Sequence, residues 1–349
     1  MDKPAGQARC AARTVTFARL VASPAGAAGA VSFLKVSNAM ILVCGEALLD
    51  VFAAAETRTG LTLDANVGGS PLNVAVGLAR LGQPVGFCSA ISSGFAGERL
   101  MRTLHAEGVD TGPVARLDAP TTLSLIGLDA HGVPSYAFYG EGCADRMLRA
   151  TDLQRVPLSL DAVNVGSYAT VVEPIASTLR ALIERQLGRS LIAYDPNIRL
   201  NVEPDVARWR EQLAWMLPRT HQLKISDEDL GLLQPGVTPE AFAAQALGHG
   251  VCAVFVTRGA QGASGWTRGG ANADVPTVPV TVVDTVGAGD TFQAALLTWL
   301  AEHGALNAGA LAALDAAALT HALGFAARAA AITCSRRGAD LPRRAELDA

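Results

Sequence analysis

Asp284-Thr285-Val286-Gly287-Ala288-Gly289-Asp290-Thr291-Phe292 stands between an apolar, β-rich run at 278–283 and a helical pattern continuing from Phe292 through Leu300. An extended run, a glycine turn and a helix, in that order, gather the free N–H groups of the helix start around one point. The glycines let the chain turn tightly and leave room for a ligand against the main chain. Such a point favours an anion, most obviously a phosphate. Asp290 stands in the same turn. A carboxylate repels a phosphate, so binding does not explain it, whereas accepting a proton from a hydroxyl that attacks the phosphate does. An Asp that merely caps an ordinary helix is the competing reading.

Outward from this turn the chain keeps one rhythm. Apolar runs at 41–44, 84–90, 162–165, 191–194, 222–225 and 253–257 read as strands. Helical spacing is expected over 96–107, 173–187, 205–217, 288–303 and 319–331. Another helix opens at Ser70-Pro71, with Ser70 as N-cap and Pro71 at the first helical position, and stops at Gly82. The alternation argues for a mainly parallel sheet covered by helices on both faces. Two β-like runs, 121–128 and 133–139, break the rhythm. Asp129-Ala130-His131-Gly132 joins them as a hairpin turn in which His131 reads as solvated. With 61–67 as a neighbouring strand they suggest a small β lid, inserted from about 52–66 and 116–140 into one α/β domain over 40–345. A lid suits a reaction that must exclude water.

The 349 residues carry 28 basic and 32 acidic side chains, a formal net charge of -4, and half are hydrophobic. A sizeable core is available, and no basic surplus suggests nucleic acid as a partner. Cys10, Cys44, Cys88, Cys143, Cys252 and Cys334 include no C-x-x-C pair and read as reduced thiols. The apolar stretch 311–333 is interrupted by Asp315, His321 and Arg328, so it reads as a buried or amphipathic helix, not a membrane span. A cytoplasmic protein is expected. Residues 1–39, rich in Ala, Gly and Arg, read as a disordered extension or a translation start placed too early, with a transit-like leader as the other option.

A second candidate is Gly68-Gly69-Ser70-Pro71-Leu72-Asn73. Paired glycines let a sugar approach the backbone, and Asn73 both donates and accepts hydrogen bonds. Asp50, shortly after the first strand, can accept from two hydroxyls; a capped loop with a solvated Asp is the alternative. Lys3, Lys35 and Lys224 are the lysines, and none completes a Walker A motif. H-R-D and D-F-G are also missing, and Phe292 stands where a dinucleotide fingerprint needs its third glycine. If ATP is used, backbone amides and arginines must hold its phosphates.

Residues 68–82 and 284–292 together resemble the two signature regions of the PfkB-type (ribokinase-like) carbohydrate kinases, in order and in separation. The resemblance runs from Met40 to the C-terminus. It implies a sheet flanked by helices with a β lid, and ATP-dependent phosphorylation of a sugar hydroxyl with Mg²⁺. By similarity Asp290 is the catalytic base, and the Gly287, Ala288 and Gly289 amides form the anion hole. Asp50, Gly68, Gly69 and Asn73 contact the sugar, and Asp284 matches a position that helps bind a monovalent cation, K⁺. Thr257-Arg258-Gly259-Ala260-Gln261-Gly262 resembles the turn along the ATP. Lys224-Ile225-Ser226-Asp227-Glu228-Asp229 lies where the family carries N-x-x-E, with Ser226 for Asn and Asp229 for Glu, and by similarity Lys224, Ser226, Thr257, Gly259 and Gly262 bind the nucleotide. Asp229 can still position a Mg²⁺-bound water, with Glu228 as substitute if the register shifts. The segments 195–199 (D-P-N-I-R), 144–146 (A-D-R) and 332–340 resemble bacterial fructokinases; the first is shared with 2-keto-3-deoxygluconate kinases. Arg146 or Arg199 would serve a sugar acid's carboxylate; Arg199 would equally serve ATP phosphate or a structural ion pair. D-fructose is the expected substrate. The alternatives are 2-keto-3-deoxygluconate, a nucleoside, or a non-catalytic sugar-binding regulator on the same fold. The lid edge offers a route to a homodimer.

Overall fold

The computed structural model describes residues 40–128 and 134–348; the extension at 1–39 and the hairpin turn at 129–132, with His131, lie outside the described residues. β1 (Ile41–Cys44) shows why helices cover both faces of the sheet. All four residues are buried, and alternate side chains feed different clusters: Ile41 and Val43 one, Leu42 and Cys44 the other.

The main sheet has eight strands in the order β14-β13-β12-β11-β10-β9-β1-β4. They are β4 (Val85–Cys88), β9 (Ala162–Gly166), β10 (Leu191–Asp195), β11 (Gln222–Ser226), β12 (Ala253–Thr257), β13 (Ala263–Thr267) and β14 (Asn272–Val275), beside β1. From β12 to β4 every pairing is parallel, while β13 and β14 close one edge antiparallel. One face packs on α1 (Ser70–Arg80), α2 (Phe95–Ala106), α7 (Ala288–Glu302) and α9 (Ala316–Cys334). The other packs on α3 (Ile175–Gln186), α4 (Val206–Met216), α5 (Asp227–Leu233) and α6 (Pro239–Gly248). The short α8 (Ala308–Ala312) and α10 (Arg344–Leu347) are the remaining α-helices among the described residues. α9 owes its apolar character to the core: Leu319, Ala322, Leu323, Ala326 and Ala329 are fully buried.

A second sheet, ordered β3-β2-β7-β8, stands apart from the first: β2 (Leu48–Thr57), β3 (Gly60–Gly68), β7 (Leu123–Leu128) and β8 (Pro134–Tyr139). It reaches closer to β1 and to α1 than the run 52–66 suggested. The run 84–90 splits at Ser89, and β5 (Ala90–Ser92) leaves the main sheet to pair with β6 (Ala115–Leu117). The apolar run 278–283 is not a strand. Its end is tied instead to α9, where Val283 N and Asp284 N both donate to the Cys334 carbonyl, leaving Val282 and Val283 exposed. The cysteines within the described residues are free thiols.

Candidate active site

Gly69 starts α1 at φ 104°, a backbone that favours glycine, and a Cβ there would lie 2.8 Å from the Glu46 carbonyl oxygen. The turn therefore lies flush on the chain leaving β1. Gly77 then lets α1 close on α7, since a Cβ would meet Ala294 Cβ at 2.7 Å and Leu341 Cδ2 at 2.6 Å. At this separation the first turn of α1 reaches Asp290. Ser70 Oγ donates to Oδ1 at 2.7 Å and Asn73 Nδ2 donates to Oδ2 at 2.9 Å. Ser70 is thus not the expected N-cap; Gly69 takes that place, with no side-chain capping bond. The buried Asp290 carboxylate is fixed in orientation, yet each oxygen keeps a lone pair for a proton.

α7 opens on Gly287 in the left-handed region, φ 78°, where a Cβ would lie 2.7 Å from Ala339 Cβ. Among the described residues the N–H groups of Gly287, Gly289 and Asp290 have no acceptor, whereas Ala288 N donates to Thr285 O at 3.2 Å. Ala288, expected among the anion-hole donors, is thus closed by the chain itself. Asp284 braces the turn, with Oδ1 accepting from Val286 N at 3.0 Å and Oδ2 from Gly338 N at 2.8 Å. Lys224 reaches the same turn from β11. Its Nζ is 3.3 Å from where a Gly289 Cβ would stand and 2.6 Å from Asp195 Oδ2, in a buried pair. Lys224, expected along the nucleotide, thus brings a buried ammonium to the same turn as the amides.

Carboxylates crowd the remaining wall. Asp50 Oδ2 fills the space over Gly68, where a Cβ would come within 2.1 Å, so this glycine makes room for Asp50 rather than for a ligand. Burial raises the Asp50 carboxyl, against a Ser124 hydrogen bond and Arg199, with Asp290 adding repulsion. Burial likewise raises Asp195 despite Lys224. Asp229 is pushed up to about 6, first by burial and then by Asp195. Its Oδ1 accepts from Ile198 N at 3.3 Å, while Ser226 Oγ accepts from Asp229 N at 3.0 Å and caps α5. Glu228 points to solvent. Arg199 is exposed and faces Glu46, Asp50, Asp195 and Asp229. Arg146 is held elsewhere, between the rings of Phe138 and Tyr168. Among the described residues no group of three or more His, Cys, Asp or Glu forms a metal cage.

Thr257 ends β12, and Gly259 (φ 50°) and Gly262 (φ 88°) shape the turn into β13. A Cβ at Gly262 would lie 2.0 Å from the Val275 carbonyl oxygen, so the approach of β14 already requires this glycine. Sequence reasoning missed two features, the Lys224–Asp195 pair and Glu46. The Glu46 carboxyl is raised to about 8 by burial, against Ser167, and its Oε2 has no hydrogen-bond partner among the described residues. An acidic residue two positions after a fully apolar strand was the available signal.

The profile of the pfkB family carbohydrate kinases matches residues 38–345. The chain belongs to that family. A fructokinase of Rhizobium leguminosarum bv. trifolii is 38% identical over 280 residues, covering 80% of this chain and 85% of the relative. A fructokinase of Klebsiella pneumoniae is 33% identical over 307 residues, 86% of this chain and 95% of the relative. The crystal structure of a fructokinase with bound ATP from Xylella fastidiosa superposes with a TM-score of 0.80 at 28% identity, covering 88% of this chain and 96% of that one. This PfkB member is therefore a carbohydrate kinase. In open α/β sheets ligands bind outside the carboxyl ends of the strands. Asp195 and Ser226 end β10 and β11, Glu46 follows β1 by two residues, and Lys224 reaches the same end from the middle of β11.

Proposed function

We propose that this carbohydrate kinase transfers the γ-phosphoryl group of ATP to the terminal hydroxyl of D-fructose, giving fructose 6-phosphate, with Asp290 as general base. One observation carries the reading: the Asp290 carboxylate, oriented by Ser70 and Asn73, shares a helix start with the unpartnered amides of Gly287, Gly289 and Asp290. Asp290 takes the hydroxyl proton as the oxygen attacks phosphorus in line. The open amides and Lys224 receive the charge that builds on the transferring group. Asp50 and Asn73 orient the sugar, with Gly68 and Gly69 keeping backbone and carboxylate close enough to do so. The nucleotide lies along Thr257 and the turn of Gly259 and Gly262.

Asp290 repels Asp195 and Asp195 repels Asp229, a gathering of negative charge that fits a divalent cation. Mg²⁺, brought with ATP, supplies charge neutralisation there, and Asp229 would hold one of its waters. A monovalent cation such as K⁺ would lie at Asp284, whose remaining lone pairs are its available ligands. Arg199 stands over the site, where it would meet a phosphate. The outer half of the β2–β3 hairpin is exposed, with Leu61 at 53% and Leu63 at 49%, and β3 is an edge strand. This edge supports pairing with a second copy through the lid.

The test is ADP release with fructose, 2-keto-3-deoxygluconate, ribose and adenosine at equal concentration. Fructose is expected to turn over fastest. A faster sugar acid or nucleoside would replace it, and sugar binding by calorimetry without any ADP would mark a regulator.

A further inference from the structure

Arg146 has no carboxylate partner among the described residues, although it stands beside the buried Asp145. Its guanidinium lies on the bare backbone of Gly140, where a Cβ would be 2.3 Å from Nη2, 2.7 Å from Cζ and 2.8 Å from Nε. It is flanked by two aromatic rings, with Cζ 5.5 Å from the centroid of Phe138 and 5.5 Å from that of Tyr168. Those rings meet edge to face at 5.5 Å. Phe138 belongs to the lid strand β8, whereas Tyr168 follows the core strand β9. Asp145 ties the same two parts, accepting from Thr122 Oγ1 just before β7 and from Tyr168 OH at 2.7 Å. The arginine is therefore a wedge between lid and core. Its planar guanidinium suits packing against both rings at once, which a lysine ammonium cannot reproduce.

The lid's register connects this wedge to the sugar side of the site. Phe138 pairs with Ser124, and Ser124 pairs with Asp50 on the next strand. Residues directly opposite one another across neighbouring strands share a face of the sheet, so Phe138, Ser124 and Asp50 form one row. Ser124 stands directly beside Asp50 across the two strands, and the Asp50 carboxylate fills the hollow over Gly68. A shift of Phe138 would move the row and displace the carboxylate at its far end.

We propose that Arg146, seated on Gly140 against both Phe138 and Tyr168, is a positioning residue that sets the lid row ending at Asp50 and so determines affinity for the acceptor sugar. It acts through Phe138 and Ser124 and touches neither reacting group. The inference rests on the reading of the site as a sugar kinase.

The test is a double-mutant cycle with both substrates followed separately. Gly140→Ala places a methyl group where the guanidinium lies. It should raise KM for the sugar roughly tenfold, with KM for ATP and kcat within about twofold of wild type. Arg146→Ala should do the same. Arg146→Lys should give little rescue, because it restores charge without a planar stack. Gly140→Ala added to Arg146→Ala should cost nothing further, since the atoms it strikes are gone. Equal rises in both KM values, an unchanged sugar KM, or additive effects of the two substitutions would each overturn the proposal. Calorimetric sugar binding keeps the test separate from the kinase reading. If no sugar is phosphorylated, the kinase reading fails, yet the sugar Kd should still follow the cycle. Thermal melts of each variant identify any that fail to fold, and Arg146→Met, which keeps the bulk, then takes the place of Arg146→Ala.

Discussion

Two helix starts face the same end of the main sheet and are built in opposite ways. α5 begins on Ser226 at φ -82°, whose side chain accepts from Asp229 N, and its first turn holds Asp227, Glu228 and Asp229. α7 begins on Gly287 at φ 78° with no side-chain cap, and Asp290 is the acid in its first turn. At α5 the cap takes up an amide, and the acids meet the positive end of the helix dipole. At α7 the amides of Gly287, Gly289 and Asp290 are left without an acceptor among the described residues, and Lys224, from the strand that feeds α5, reaches Gly289. A helix N-terminus becomes available to an anion when the sequence withholds both the cap and the neighbouring acids. The one acid retained at α7 is turned toward Ser70 and Asn73 of another helix.

The largest effect is expected from breaking α7 at that acid. Asp290→Asn should lower kcat by about 10²–10⁴, measured by coupled ADP release. The amide keeps an acceptor for Ser70 but sets an NH₂ group against Asn73, so the fold should survive while the base is lost. Activity near that of wild type would refute the role. Gly287→Ala comes next. The methyl group would strike Ala339 and strain a left-handed backbone, dragging the open amides out of line, so kcat should fall about 10²–10³. Gly188→Ala is the control, because Gly188 has φ 71° with nothing within 4 Å of its Cβ position. It should share the backbone strain and leave kcat unchanged. A matching loss of rate in both variants would mean that strain alone, not the amide arrangement, explains the Gly287 effect.

The sequence pattern shows much of this contrast and hides part of it. The glycine turn at 287–289 and its helix were legible because positive φ and a helical repeat both leave a mark in residue type. So were the parallel strands, as unbroken apolar runs. Asp290's partners were not legible: Ser70 looks like a cap until Gly77 brings α1 onto α7, a contact between residues more than 200 positions apart. The run 278–283 failed for a related reason. Its valines promise a strand, but the Cys334 carbonyl takes the N–H groups that a sheet neighbour would need. Lys224 and Asp195 are each unremarkable in sequence and form a buried pair only because β10 and β11 are neighbours. Pairing across strands is a property of the topology, which local residue type does not encode.

Asp229, the last acid in the first turn of α5, sharpens the comparison through pH. Its carboxyl is raised from 3.8 to about 6, by burial first and by Asp195 second. Between those values the unfolded chain releases the proton while the folded one retains it, so folding is opposed more as pH rises and uniformly above about 6. Asp229→Asn removes that penalty. The variant should gain roughly 3 kcal/mol at most over wild type at neutral pH and nothing near pH 4, in urea titrations at the two values. A gain of equal size at both would tie the effect to packing instead of charge. The same substitution should weaken dependence on Mg²⁺ if this carboxylate holds the metal's water.

The smallest effect tests whether α5 is as closed as it looks. Ser226→Ala removes the cap and should cost about 1 kcal/mol of stability, whereas Ser226→Gly should cost only a few tenths. Neither should change kcat or KM for ATP more than about twofold, because the hydroxyl is committed to Asp229 N. Resemblance to the family places this residue along the nucleotide, and a larger effect on KM for ATP, equal in the Ala and Gly variants, would show that the serine leaves its cap to bind it. In that event α5 would be closed only in the absence of nucleotide, and the difference between the two helix starts would be one of ligation state as well as of sequence.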